Sequence, residues 1–359
     1  MRVVTVVGAR PQFIKAAPVS RALKAAGIEE ILVHTGQHYD LTMDRVFFEE
    51  LELPEPAQNL EVGSGTHAVQ TGLMMMRLEA LLLALRPSPD WVLVYGDTNS
   101  TLAGALVAAK LRLPLAHVEA GLRSYNPRMP EEVNRLVADR LADLLFCPSQ
   151  QAVENLRTEG ITRGVHWTGD VMLDALLFYR DRARERVRPE ALVPFEPGSY
   201  YLLTVHRAEN TDDPDRFRRL LALLGELDRP VVWPLHPRAR KQLAAFGLSL
   251  PATVYAVEPV GYLAMIRLLE GCHRVLTDSG GLQKEAYWLG RPCLTLRAET
   301  EWGETVQEGW NHLVDLDPER LWAALRAPAP ASPPRPHYGD GRAAERIAAL
   351  LGAHSHLPR

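Results

Sequence analysis

Arg274-Val275-Leu276-Thr277-Asp278-Ser279-Gly280-Gly281-Leu282-Gln283-Lys284-Glu285 is the stretch on which the reading of this chain turns. Its first residues make a short apolar strand. The turn that follows opens a helix running through Ala286-Tyr287-Trp288-Leu289 to a stop at Gly290. Strand, glycine-containing turn and helix start form a layout that binds phosphate. The first helical N–H groups have no acceptor within the helix, and the helix dipole favours an anion beside them. Gly280 and Gly281 carry no Cβ, so a ligand can come close to the backbone. Glu285, one turn into the helix, stands where a carboxylate can take a ribose hydroxyl pair. A plain βα turn with Ser279 as N-cap satisfies the same residues, and the stretch alone leaves both readings open.

The same layout recurs along the chain. In the second half, strands at 201–205, 231–235, 254–257 and 293–296 deliver His206-Arg207-Ala208-Glu209-Asn210, His236-Pro237-Arg238, Glu258-Pro259 and Arg297 to Glu304. In the first half, a strand at 2–7 leads into Gly8-Ala9-Arg10-Pro11-Gln12 and a helix over 13–26. Strands at 30–35, 91–95 and 114–118 deliver Gly36-Gln37-His38-Tyr39-Asp40, Gly96-Asp97-Thr98-Asn99 and Glu119-Ala120-Gly121-Leu122-Arg123. A helix over 66–85 carries Met74-Met75-Met76, read as core. Strand and helix alternate without hairpin signals, which predicts parallel sheets covered on both faces. The expected class is α/β, two Rossmann-like domains facing a cleft. The expected boundaries are 1–168, 169–342 and a C-terminal helix in 343–359 that is free to cross back to the first domain. The charged, aperiodic segment 180–200 reads as the connection, and 327–336 as a Pro/Ala-rich linker. In such sheets ligands bind beyond the carboxyl ends of the strands, where all these polar residues fall.

Composition narrows the classes. A chain of 359 residues, 47% hydrophobic, can bury two large cores. Net charge is −4 with both signs interspersed, which argues against a nucleic-acid surface or a polybasic membrane patch. The start, Met1-Arg2-Val3-Val4-Thr5-Val6-Val7-Gly8, reads as a strand rather than a signal peptide, and no run of about 18 apolar residues suggests a membrane span. Cys147, Cys272 and Cys293 lie far apart with no metal-ligand spacing and read as buried thiols of a cytoplasmic protein. No metal site is expected.

One rim offers Asp97, Glu119 and Glu131 with the cations Arg10 and Lys15. The other offers His206, His236 and the turn at Ser279. Carboxylates serve as acid and base at a sugar, while helix N–H groups and cations hold a leaving diphosphate. That combination suits a nucleotide sugar. Each residue also has an ordinary role: Asp97 as an N-cap, Glu131 as a helix-start acid favoured by the dipole, Arg135 as its i,i+4 partner. The residues alone do not separate group transfer from isomerisation.

Taken together, Gly8-Ala9-Arg10-Pro11, Gly36-Gln37-His38, Gly96-Asp97-Thr98, His117-Val118-Glu119-Ala120-Gly121-Leu122-Arg123, Pro130-Glu131-Glu132-x-Asn134-Arg135, Thr204-Val205-His206-Arg207 and Thr277 to Glu285 resemble the non-hydrolysing UDP-N-acetylglucosamine 2-epimerases. The resemblance runs from about residue 1 to 350, with the motifs in family order. It implies the two-domain fold of the B-type glycosyltransferases, a homodimer, and interconversion of UDP-GlcNAc and UDP-ManNAc for cell-surface polysaccharide synthesis, with neither metal nor nicotinamide. It implies anti elimination of UDP to a 2-acetamidoglucal, reprotonation on the other face and re-addition. By resemblance, Asp97, Glu119 and Glu131 carry protons, Arg135 orients them and His206 assists near the diphosphate. Arg10, Lys15, His236, Ser279, Gly280, Gly281 and Glu285 hold UDP.

Two departures bear on substrate and regulation. Many members have Thr-Glu-Arg-Pro-Glu where this chain has Thr300-Glu301-Trp302-Gly303-Glu304. The Trp resembles relatives acting on modified sugars such as diacetamido-glucuronic acid, which is the alternative substrate. A Gln-His-x-Gln run and an Arg-Arg pair serve allosteric activation in some members. Here the runs are Gln37-His38-Tyr39-Asp40 and Arg207-Ala208, so weak or no activation is expected. A glycosyltransferase of the same fold usually lacks the three carboxylates, and a sugar-nucleotide sensor has no use for them.

Overall fold

Val3, Val4, Val6 and Val7 are fully buried, which a strand requires when helices cover both its faces. They belong to β1 (Arg2–Val7) of a computed structural model that describes residues 1–37 and 47–354. Val4 and Val6 point the same way, as the two-residue period dictates, and pack with Leu78, Leu82, Val92 and Val94. Each such side chain contributes about 1.5–3 kcal/mol by leaving water.

The chain folds as two compact units, Met1–Leu177 with Pro336–Arg359, and Phe178–Arg335. The first holds β1, β2 (Glu29–His34), β3 (Gln58–Asn59), β4 (Trp91–Tyr95), β5 (Leu115–Val118), β6 (Leu144–Cys147) and β7 (Val165–Trp167). Their order in the sheet is β3-β2-β1-β4-β5-β6-β7, and every pairing is parallel. Its helices include α1 (Arg10–Ala25), α2 (His67–Ala84), α3 (Asn99–Leu111), α4 (Pro130–Leu141) and α5 (Gln150–Thr158). The second unit holds β8 (Tyr201–Thr204), β9 (Val231–Pro234), β10 (Val254–Val257), β11 (Arg274–Thr277), β12 (Cys293–Thr295) and β13 (Asn311–Leu313), in the order β10-β9-β8-β11-β12-β13, again all parallel. The expected α/β class with two Rossmann-like sheets is therefore present.

Both sheets wind the same way. The chain steps outward from β1 to β3, returns to pair β4 on the other side of β1, and continues; β8 to β13 repeat this. The reversal points, between β1 and β4 and between β8 and β11, are where open parallel sheets bind ligands.

Three local expectations need correction. The chain from 180 does not read as a loop: α6 (Val171–Arg186) continues to Arg186. Its second half is almost wholly charged, which hides the helical period. Pro11 stands at N2 in the first turn of α1, where its missing N–H costs nothing, so that helix starts at Arg10 rather than Phe13. Of the methionines on α2, Met74 is buried but Met76 is 69% exposed, because positions i and i+2 face opposite sides of a helix. The three cysteines are free and buried, as expected. Beyond the linker, α7 (Ala343–Ala353) lies in the first unit. Asp174 of α6 accepts its opening N–H groups, from Ala343 at 3.1 Å and Ala344 at 2.7 Å. Among the described residues, no helix is long and apolar enough to cross a membrane.

Candidate active site

The first reversal point places Gly8 to Gln12 after β1 and Gly96-Asp97 after β4. Gln12 ties the two turns. Its Oε1 accepts from the N–H groups of Gly8 (2.8 Å) and Ala9 (3.1 Å), and its Nε2 donates to the Tyr95 carbonyl at 2.9 Å. Asp97 is then held by α4: Asn134 donates to its carbonyl at 2.8 Å, and the Arg135 guanidinium binds its carboxylate. Arg135 is also bonded by Glu132, whose carboxylate accepts from the Ser124 and Tyr125 N–H groups at 3.0 Å each. So Arg135 pairs with Asp97 and Glu132, not with Glu131 in the i,i+4 sense. The Glu131 side chain, half-buried, makes no hydrogen bond or ion pair among the described residues.

Glu119 ends β5, next to β4. It is buried, and its backbone sits at φ +69°, a left-handed conformation that costs a non-glycine residue about 1–2 kcal/mol. Lys15 from α1 binds its Oε1 at 2.6 Å, and both side chains are more than 90% buried. A Cβ at Gly96 would lie 2.9 Å from the Lys15 ammonium and 3.5 Å from the Glu119 carboxylate, so Gly96 leaves the room through which the two meet. The structure thus groups Lys15 with the carboxylates. Arg10 lies over the Phe47 ring, 5.7 Å from its centre.

At the second reversal point the centre is Asp278, fully buried at the end of β11. It accepts from the N–H groups of His206 (3.1 Å) and Arg207 (3.0 Å), from Asn210 Nδ2 (3.1 Å) and from His206 Nδ1 (2.9 Å). Burial alone would raise its pKa. The His206 charge and these donors outweigh that and hold it at about 2. His206, 43% exposed on its side chain, is thereby fixed with its Nε2 outward, and His236 lies 5.9 Å from it, ring centre to ring centre. His236 caps its own helix, accepting from Arg238 N–H at 3.2 Å.

Ser279 caps the helix α8 (Gly280–Trp288), its hydroxyl accepting from Leu282 N–H at 3.5 Å. Gly280 does not need a positive φ. A Cβ there would stand 3.2 Å from the Trp302 indole nitrogen, so the missing side chain is the space against which Trp302 packs. Gly281 follows in the first helical turn, half-buried. Beneath the indole, the buried Lys284 ammonium lies 3.9 Å from the ring centre, a cation–π contact in a desolvated site. Glu285 is buried and accepts from the Tyr262 hydroxyl at 2.7 Å. Of the run Gln37-His38-Tyr39-Asp40, the last three lie outside the described residues. Gln37 accepts from the Ser100 hydroxyl at 2.7 Å.

Sequence reasoning passed over Asp278, Glu132 and Gln12 as functional positions. Asp278 stood in the quoted stretch, and its place directly after a buried strand was the signal available. Nothing local marks Gln12, whose partners lie up to 89 residues away, or Glu132, which meets the Ser124-Tyr125 turn and Arg135 of its own helix.

A family model for UDP-N-acetylglucosamine 2-epimerase matches residues 21–352. The chain belongs to that family. The epimerase homolog of Methanococcus maripaludis is 46% identical over 98% of this chain and 99% of its own. The UDP-2,3-diacetamido-2,3-dideoxy-D-glucuronate 2-epimerase of Pseudomonas aeruginosa is 47% identical over 98% and 99%. The crystal structure of the Methanocaldococcus jannaschii UDP-GlcNAc 2-epimerase in complex with UDP-GlcNAc and UDP matches with a TM-score of 0.92 at 40% identity, over 98% of this chain and 100% of that one. A calicheamicin glycosyltransferase at 15% identity and TM-score 0.56 shares the fold alone. The resemblance drawn from the motifs is borne out, and the chain is an isomerase of the epimerase kind.

Proposed function

We propose that the protein interconverts UDP-GlcNAc and UDP-ManNAc. The observation that carries this reading is the carboxylate rim of the first unit: Asp97 on Arg135, Glu119 on Lys15, and Glu131 with no partner among the described residues. The sugar C2–H has no carbonyl beside it and is not acidic. A base can remove that proton only as the C1–O bond to UDP breaks, giving a 2-acetamidoglucal and UDP. Return of a proton to the opposite face of C2, with re-addition of UDP to C1, completes the epimerisation with atoms and charge balanced. Two faces call for two proton carriers, and Asp97, Glu119 and Glu131 are the set. Arg135 is the ion-pair partner of Asp97 and Lys15 that of Glu119, which hold these carboxylates in place. In the second unit, the Ser279-Gly280-Gly281 helix start, His206 and His236 take the diphosphate and Glu285 takes the ribose. The resemblance supports a homodimer, and the soluble sugar nucleotide supports a cytoplasmic location.

A specific observation favours a second substrate. Trp302 packs on Gly280 at the proposed diphosphate turn, and the Pseudomonas relative is named for a diacetamido-glucuronate sugar. Proton NMR of the purified protein with UDP-GlcNAc in deuterated buffer tests both. Expected is UDP-ManNAc with deuterium at C2 of both sugars. No exchange with UDP-GlcNAc, but exchange with UDP-diacetamido-glucuronic acid, transfers the reading to the second substrate. Free ManNAc overturns the non-hydrolysing mechanism.

A further inference from the structure

Behind the carboxylate rim runs a chain of four ionisable side chains. Glu159 holds Arg123 through two bonds, 2.6 Å to Nε and 2.7 Å to Nη2. Arg123 donates to Asp139 at 2.7 Å, and Asp139 meets His117 Nδ1 at 2.8 Å. His117 Nε2 then lies 2.7 Å from the carbonyl oxygen of Gly96. His117 is 0% exposed, Asp139 1% and Arg123 4%.

Each ring nitrogen of His117 faces an acceptor. A backbone carbonyl never donates, so Nε2 must carry hydrogen. Asp139 accepts through Oδ2 from the Arg123 guanidinium and from Gly121 N–H at 3.1 Å, an environment that favours the ionised carboxylate, so the hydrogen shared with Oδ1 sits on Nδ1. Burial opposes the Asp139 charge, but His117 and Arg123 outweigh it and hold the carboxyl below the ordinary range. We propose that His117 is a buried imidazolium, the last charge of the alternating series Glu159–Arg123–Asp139–His117, and that it is the positioning residue for Asp97 and Glu119. The four charges sum to zero, which is what lets a cationic histidine remain buried.

The positioning follows from what the series touches. His117 holds the carbonyl of Gly96, the residue directly before Asp97. Asp139 holds the N–H of Gly121, two residues after Glu119. His117 itself is two residues before Glu119 on β5, with Val94 of β4 as its register partner. One network therefore clamps both turns that present the rim. It touches none of the proposed reacting groups, and its catalytic part rests on the epimerase reading above.

The test is the ring nitrogen spectrum of the full-length protein labelled with 15N-histidine, read at neutral pH beside the kinetics of Asp139→Asn and His117→Gln. Expected is a histidine signal with hydrogen on both ring nitrogens that is lost in His117→Gln and converted to a one-hydrogen ring in Asp139→Asn, distinct from any signal of His206 on Asp278. A bare nitrogen on His117 in the unaltered protein overturns the imidazolium. Expected kinetics are a kcat loss of about 100-fold in folded variants, with KM for the UDP-sugar nearly unchanged, the signature of misplaced reacting groups. An unaltered kcat in a folded Asp139→Asn protein overturns the positioning role. If His117→Gln fails to fold, Asp139→Asn still identifies the ring by its changed spectrum. The spectra need no turnover, so they stand even if no sugar is epimerised, an outcome that would sink the epimerase reading instead.

Discussion

Glu119 and Asp278 occupy matching places. Each is a buried carboxylate at the carboxyl end of a parallel strand beside a reversal point, one in each unit. Their surroundings differ in kind. Asp278 is ringed by backbone N–H groups, an amide and a histidine, and its work is to fix the His206 turn. Glu119 is placed by a strained backbone against an ammonium delivered from another helix. A carboxylate enclosed by several fixed donors is a structural anchor. One set in an unfavourable conformation against a single cation from another helix is arranged for chemistry, and the fold bears the strain.

The largest effect should come from making Glu119 like an anchor. Glu119→Gln removes its charge and proton affinity, and kcat should fall about 1,000-fold, within the range that general acid–base catalysis supplies. Asp97→Asn should behave alike, and calorimetry should show UDP binding within about threefold of the unaltered protein. A Glu119→Gln enzyme with near-normal kcat would erase the contrast.

Asp278→Asn tests the other side. Its carboxyl titrates at about 2, below the ordinary carboxylate value of 3.8. It therefore contributes on the order of 2 kcal/mol, fully present above pH 4 and lost as pH falls towards 2. Denaturant titrations should show that deficit for Asp278→Asn at pH 7 and a narrowing gap below pH 4. UDP affinity should fall too, since His206 loses its anchor. A variant as stable as the original at pH 7 would make Asp278 a passive residue.

Trp302→Arg sharpens the comparison at its substrate end. Competition between UDP-GlcNAc and UDP-diacetamido-glucuronic acid should shift kcat/KM towards UDP-GlcNAc by about tenfold, or 1.4 kcal/mol. The smallest effect concerns strain alone. At φ +69° glycine should be more stable than alanine, so Glu119→Gly should unfold about 1 kcal/mol later than Glu119→Ala. Equal stabilities would mean that the turn is not strained.

Much of this was legible in the chain. Strand-then-turn punctuation placed Asp97, Glu119, His206 and Ser279 at carboxyl ends, because parallel strands buried on both faces leave only their ends for polar residues. What stayed hidden was pairing. The resemblance places Lys15 on UDP; its pairing with Glu119, 104 positions away, is encoded by no local pattern. Arg135 was weighed against Glu131, whereas Glu132 and Asp97 hold it, because both acids open the same helical turn. The helix through Arg180-Asp181-Arg182 was missed because hydrophobic periodicity vanishes where a helix is charged all round.

The last helix has a consequence for how the protein comes into being. Residues 343–353 complete the first unit, capped by Asp174, although the whole second sheet is encoded between them. A ribosome releasing the chain in order cannot finish the unit it began first. The nascent first sheet must wait, with the surface that α7 will cover still exposed, until more than 150 further residues have emerged. The second unit, contiguous from Phe178 to Arg335, has no such delay and is free to mature before the half that precedes it.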